Sequence, residues 1–130
     1  MKIPRRIYQD IVDHALQEAP LEACGYLAGE EGIVRQYYRM TNIDQSPVHY
    51  RFAPEEQVEV FKRVQAEKTE LIGVYHSHPA SEARPSPEDI RLAYDPFISY
   101  VIISLQQKPY SVQAFKINNR HVRPEPLEIL

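Results

Sequence analysis

His76 and His78 stand two apart in the run Tyr75-His-Ser-His-Pro79, and Asp89 follows after a loop rich in proline. Leu71 to His78 reads as a strand. Alternate side chains of a strand share a face, so both imidazoles project to one side and can reach a single ion. Zinc takes imidazole nitrogen and carboxylate oxygen, and a catalytic zinc keeps one position open for water. Prolines at 79, 85 and 87 turn the chain back and open a short helix over 87–94, which brings Asp89 in on its first turn as the third ligand. Two neutral histidines and one carboxylate leave a zinc site with net positive charge, which brings the pKa of water from 15.7 to about 7. Ser86, three residues before Asp89, offers a hydroxyl for the oxyanion of a tetrahedral intermediate, a role worth roughly 3 kcal/mol in other systems. Such chemistry also needs a base, and periodicity does not choose one among the glutamates.

The same residues admit plainer roles. Ser86-Pro-Glu-Asp89 reads as an N-cap serine, a first-position proline and acids in a first turn, so Ser86 caps the helix whether or not it also assists chemistry. Taken alone, the two histidines read equally well as ordinary polar residues at a strand end. A structural zinc is disfavoured because it wants four tight ligands, and Cys24 is the single cysteine. Cys24, two residues from Glu22, lines the site or fills a small buried space, the commoner role of a free cysteine. His14, His49 and His121 lack ligand-spaced partners and read as surface or structural. The nine tyrosines, with no tryptophan beside them, finish a small core or offer a binding surface.

The elements that must position these residues are legible in outline. Ile3, Ile7, Ile11, Ala15 and Ala19 recur every four residues with Val12 and Leu16 beside them, one face of a helix that Pro20 ends. Ala23 to Ala28 and Ile33 to Met40 predict a hairpin with its turn at Glu30–Gly32. Val48 to Phe52 predicts a further weak strand. Pro54, Glu55 and Glu56 open a second helix, with Val58, Phe61 and Val64 as its inner face. Strands follow at Tyr100 to Leu105 and Ser111 to Ile117, and the tail with Pro124 and Pro126 is expected to drape over the surface. Ser111 to Ile117 is expected to leave an exposed edge where a partner strand can add. Helices lying before and between strands point to an α/β protein, a mixed β-sheet flanked by helices.

Composition excludes several classes. The 130 residues fit one domain with one core, and no repeat, low-complexity run or linker divides them. Charged residues make up 25% and the net charge is −3, so no broad field attracts nucleic acid or an anionic membrane. No apolar run approaches the roughly 20 residues that span a bilayer. The basic N-terminus lacks the apolar stretch of a signal peptide, and a lone cysteine excludes an intrachain disulfide. A reduced, cytoplasmic protein is the expectation.

The order Glu22, His76-Ser-His78-Pro79, Ser86, Asp89 resembles the JAMM (MPN+) metallopeptidase motif: a distant Glu, then His-x-His-Pro, six residues, Ser, two residues, Asp. Glu22-Ala-Cys-Gly-Tyr-Leu-Ala-Gly29 is also similar to that family's first strand. The resemblance covers nearly the whole chain and implies an MPN/JAMM, cytidine-deaminase-like fold with one metallopeptidase domain over 1–130. It implies zinc on His76, His78 and Asp89, Glu22 as the base that shuttles a proton to the leaving amine, and Ser86 polarising the scissile carbonyl. It implies, too, a substrate: a peptide or isopeptide bond at the C-terminal tail of a ubiquitin-like β-grasp protein. The chain is more similar to compact prokaryotic members, some of which trim a residue or peptide from sulfur carrier proteins to expose a diglycine tail. A silent binding module of the same fold usually loses a ligand or the base, and all are retained here. Nucleobase deamination expects Pro-Cys-x-x-Cys, which one cysteine rules out.

Overall fold

The computed structural model describes residues 1–130. A short strand, β1 (Lys2–Ile3), runs through Pro4 into α1 (Arg5–Glu18). Its buried stripe of Ile7, Ile11 and Ala15 is the middle of the one the four-residue spacing predicts, with His14 buried beside it; Ile3 is buried in β1 ahead of the helix, and Leu16 and Ala19 are exposed near its end. Each fully buried isoleucine contributes roughly 2 kcal/mol against leaving it in water. β2 (Cys24–Glu30) and β3 (Ile33–Met40) form the expected hairpin. The turn residues Glu31 and Gly32 both have positive φ, 52° and 76°, the hand of a two-residue turn that matches strand twist.

The expected strand over Val48 to Phe52 does not form; one bridge, Asn42 to Phe52, is all that pairs there. The Asn42 side chain organises the loop instead. Its Nδ2 donates to the carbonyls of Glu22 and His49, and its Oδ1 accepts from the N–H groups of Asp44 and Arg51.

Helix α2 (Pro54–Ala66) begins at its proline as expected, but its inner face differs. Val60 and Val64 are buried, whereas Val58 and Phe61 are about half exposed. The seated stripe is Ala53, Gln57, Val60 and Val64, spaced by four, three and four, with Gln57 Nε2 donating to the Tyr26 hydroxyl. Phe61 flanks that stripe and meets the Tyr26 ring edge-on.

β4 (Glu70–His78) is followed by α3 (Pro87–Arg91), which stops at Leu92, short of the expected end at Tyr94. β5 (Ser99–Ser104) and β6 (Ser111–Asn118) match expectation closely, but the tail does not drape. It forms β7 (His121–Glu125), antiparallel to β6, and β8 (Glu128–Ile129), parallel to β1. β6 therefore lies between β5 and β7 and offers no free edge; β7 is the outer strand, and Pro124 interrupts its row of N–H donors.

The eight strands form one mixed sheet in the order β7-β6-β5-β4-β2-β3-β1-β8. Its two outer strands, β7 and β8, are joined by only Pro126 and Leu127, so the sheet must curl until its edges come together. The Met1 ammonium bridges that closure, 3.0 Å from the Glu125 carboxylate and 2.9 Å from the Pro126 carbonyl. One face carries α1, packed on Leu27, Val34, Tyr75, Val101 and Ile103. The other carries α2 on Cys24, Tyr26, Ala28 and Val74, with α3 beside Ile102 and Phe115. The expected α/β architecture is thus present. No helix is long and apolar enough to cross a membrane.

Candidate metal centre

β4 sits in the middle of the sheet, antiparallel to β2 and parallel to β5. Strand alternation sends Tyr75 and Ser77 to the α1 face and Val74, His76 and His78 to the α2 face. The parallel β4–β5 pair requires a crossover, and that crossover carries α3 and Asp89 back over the C-terminal end of β4. The Ser86 hydroxyl accepts from the Asp89 N–H at 3.0 Å, and the Ser86 N–H donates to Asp89 Oδ2 at 2.9 Å. This reciprocal cap fixes the carboxylate.

The three expected ligands meet. His76 Nε2 and His78 Nε2 are 3.1 Å apart, and each is 3.1 Å from Asp89 Oδ2. His78 Nδ1 lies 2.8 Å from the Glu82 carbonyl. A carbonyl only accepts, so Nδ1 carries the hydrogen and Nε2 turns a lone pair toward the cluster. A lone pair facing a carboxylate oxygen and a second imidazole nitrogen calls for a cation between them. Four-coordinate zinc with bonds of 2.0–2.1 Å has ligand–ligand edges of about 3.3 Å, close to this triangle. The residues therefore fit a zinc ion.

A proton between these atoms meets the same need as a cation. Burial opposes charge on both groups, but sharing that proton with His76 and His78 holds Asp89 well below the usual carboxylate range, and the contacts to Asp89 and the Glu82 carbonyl raise His78.

Glu22 lies just before β2. Its neighbour Ala23 is stitched to Ser77, between the two histidines: the Ala23 N–H donates to Ser77 Oγ at 2.7 Å, and the Ser77 N–H to the Ala23 carbonyl at 3.0 Å. Glu22 donates its own N–H to the Ser46 carbonyl and accepts at its carbonyl from Asn42. Its side chain is buried, and Oε1 has no hydrogen-bond partner. Burial pushes the carboxyl up to about 8, with His78 pulling it down and Asp89 and Glu88 pushing it further up.

Sequence reasoning missed two supports of the cluster. Tyr50 stacks on His76, with ring centroids 4.7 Å apart and planes at 29°, and His76 Nδ1 has no hydrogen-bond partner. His76 is thus oriented by a ring face where His78 is oriented by the Glu82 carbonyl. Nothing in spacing marks Tyr50 or Glu82. Asn42 is different, since Asn-Ile-Asp is the kind of sequence that makes side-chain turns. Cys24 is buried beneath the α2 face, and burial pushes its thiol up to about 12, so it is a core residue and no nucleophile.

A family model, prokaryotic homologs of the JAB domain, matches residues 4–118. This chain belongs to that family. Within the family's reach, the CysO-cysteine peptidase of Mycobacterium tuberculosis (strain ATCC 25618 / H37Rv) is 36% identical over 123 residues, covering 92% of this chain and 84% of its own. The desampylase of Haloferax volcanii is 35% identical over 101 residues, covering 72% of this chain and 73% of its own. Protein DSY2949 from Desulfitobacterium hafniense, solved in solution, superposes with a TM-score of 0.91 at 38% identity, covering 100% of this chain and 93% of that one. The compact prokaryotic JAMM/MPN resemblance read from the motif is thereby borne out.

Proposed function

We propose that residues 1–130 act as one zinc-dependent peptidase domain, cytoplasmic, that hydrolyses an amide bond at the C-terminal tail of a ubiquitin-like protein. The observation that carries this reading is the convergence of His76, His78 and Asp89 on one point beside a buried carboxylate, Glu22, that has an unpartnered oxygen. The printed activities of two relatives, a CysO-cysteine peptidase and a desampylase, support the substrate class. Zinc held by His76, His78 and Asp89 would supply Lewis acidity, polarising the scissile carbonyl and bringing the pKa of water near 7.

The chain's own residues do the rest. Glu22 takes a proton from the attacking water and delivers it to the amide nitrogen as the C–N bond breaks. The water's hydroxyl stays on the carbonyl carbon, and the products are a carboxylate tail and an amine. Burial raises this carboxyl and the charge of a bound zinc would lower it again, toward the working pH at which an acid–base group serves both halves of that transfer. Ser86 accepts from the Asp89 N–H through its oxygen lone pair, so its own hydrogen remains free for the carbonyl oxygen as that atom gains charge.

The test is cleavage of a ubiquitin-like carrier with a C-terminal extension, alongside metal analysis with and without chelator. One zinc per chain and chelator-sensitive cleavage are expected. Glu22→Gln should keep the metal and lower kcat by roughly 10²–10⁴. Cleavage at the parental rate would sink the base assignment, and absence of stoichiometric zinc would sink the whole reading.

A further inference from the structure

Asn42 follows β3 at the neck of the loop that runs to Phe52, and its side-chain amide is engaged in full. An amide offers two N–H donors and an oxygen with two lone pairs. Nδ2 donates to the Glu22 carbonyl at 3.1 Å and to the His49 carbonyl at 3.0 Å. Oδ1 accepts from the Asp44 N–H at 3.1 Å and from the Arg51 N–H at 3.2 Å.

Two of these partners bracket one residue. The His49 carbonyl and the Arg51 N–H belong to the peptide units on either side of Tyr50, so gripping both restrains the backbone that carries its ring. That ring is the one stacked on His76, with centroids 4.7 Å apart. A third partner is Glu22 itself, whose N–H is also taken by the loop, at the Ser46 carbonyl, 2.9 Å away. Glu22 Oε1 has no hydrogen-bond partner, so its place follows from where the backbone puts it.

Other ties across the loop do not duplicate this grip. Asp44 reaches His49 at 3.1 Å and Arg51 at 3.2 Å, but these ion pairs are partly exposed and contribute little. The Ile43 N–H bonds the Arg51 carbonyl at 3.0 Å and closes the neck without touching Glu22 or either peptide unit at Tyr50.

We propose that Asn42 is a positioning residue: its amide locks the segment carrying Glu22 to the segment carrying Tyr50, and so sets the base and the ring behind His76 in one arrangement. The part that concerns turnover rests on the peptidase reading above; the part that concerns His76 does not. Asn42 makes no hydrogen bond to His76, His78 or Asp89, so its loss acts by two separate routes. Through Tyr50 it loosens His76 and weakens the metal site. Through Glu22 it lowers kcat.

The experiment compares the full chain with Asn42→Ala, Tyr50→Ala and the double variant. Ile7→Val, in the core under α1 on the opposite face of the sheet, controls for lost stability alone. In competition with a chromogenic chelator, Asn42→Ala should bind zinc about tenfold more weakly, the loss seen for other ligand-orienting groups. In the Tyr50→Ala background the same substitution should cost nothing further, because both act by one route. Histidine-ring NMR of the metal-free chain needs neither zinc nor substrate. The face of Tyr50 shifts the His76 ring protons upfield, and Asn42→Ala should move them toward their positions in Tyr50→Ala. With saturating zinc and a ubiquitin-like carrier bearing a C-terminal extension, kcat of Asn42→Ala should fall roughly tenfold or more with KM little changed. Ile7→Val should match the parent in all three measurements. Should Asn42→Ala not fold, Asn42→Asp, which keeps the acceptor oxygen and loses both donors, takes its place in each.

Parental ring shifts, or zinc losses that add in the double variant, would overturn the hold on Tyr50. Parental kcat would overturn the hold on Glu22. A lower melting temperature with all three readouts parental would make Asn42 a structural residue only. A parent that cleaves no carrier overturns the peptidase reading, while the ring shifts still decide whether Asn42 holds Tyr50 against His76.

Discussion

Glu22 and Asp89 are carboxylates of one cluster pushed in opposite directions. Asp89 lies against both histidine nitrogens and accepts from the Ser86 N–H, and it stays ionised; Glu22 is buried with no partner on Oε1 and is pushed up to about 8. Two acids with separated affinities can divide ligand and proton-carrier duties. The histidines differ too, and their difference is testable. His78 has a carbonyl to fix its tautomer, while His76 depends on the Tyr50 ring. Tyr50→Ala should therefore weaken zinc binding about tenfold or more, a loss of the size seen for other ligand-orienting groups. Tyr50→Phe should bind zinc as the parent does, since stacking needs the ring and not the hydroxyl. Competition against a chromogenic chelator measures both, and equal affinity for Tyr50→Ala and the parent would refute the argument. At this scale the meeting of His76, His78 and Asp89 was legible because strand alternation and one proline-rich return are local rules. Glu22 was legible only through the family motif, because what places its backbone, Ser46 and Asn42 on Glu22 itself and Ser77 on Ala23, is distant in sequence. Tyr50 left no signal at all.

Between elements, the bond that ties α1 to the ligand-bearing strand is His14 to Tyr75, 2.8 Å from Nδ1 to the hydroxyl, at the residue before His76. Tyr75 can lie there because Gly25 on the neighbouring strand leaves room; a Cβ at Gly25 would come within 2.4 Å of the ring. Burial, helped by Arg39, lowers the His14 pKa from 6.5 to about 4. A depressed base binds its proton less readily folded than unfolded, so the unfolded chain takes up more protons between these values. Stability is thus full above pH 6.5 and is lost as pH falls through about 4. Near pH 5 this group alone costs about 2 kcal/mol relative to neutral pH. His14→Gln, which keeps a hydrogen-bonding side chain but cannot titrate, should lose less melting temperature than the parent between about pH 7.5 and 5. Parallel melting curves for the two proteins would contradict this. The helix itself was readable from its four-residue spacing, but the seat of α2 was not. Val58, Phe61 and Val64 satisfy one amphipathic reading, and Val60 and Val64 with Gln57 satisfy another; only the ring of Tyr26 beneath decides between them. The tail failed for a similar reason, since β8 finds its partner at Lys2 and Ile3, the far end of the chain.

Across the whole molecule, the proposed metal ligands draw on β4 and α3 alone, while the core does not depend on them. Buried clusters lie on both faces of the sheet, and the ladders from β4 to β2 and to β5 run the length of the strand before reaching the histidines. A zinc finger, in contrast, has no fold without its ion. The chelated protein should therefore keep a cooperative melting transition and its near-ultraviolet circular dichroism. It should still melt lower, because an ion that binds only the folded state adds about 4 kcal/mol at a thousand times its Kd. For a chain of this length that corresponds to a difference on the order of 10 °C. The metal-free state also leaves His78, Asp89 and Glu22 crowded with no cation, so its change should concentrate at α3 and the segment before β2. Hydrogen exchange with and without chelator would locate it: faster exchange confined to the amides around Ser86–Arg91 and Glu22–Ala23 is expected, with the β2–β3 and β5–β6 ladders still protected. Loss of protection across those ladders, or a chelated protein with no cooperative transition, would show that the ion holds the fold and does not merely occupy a site the fold has built.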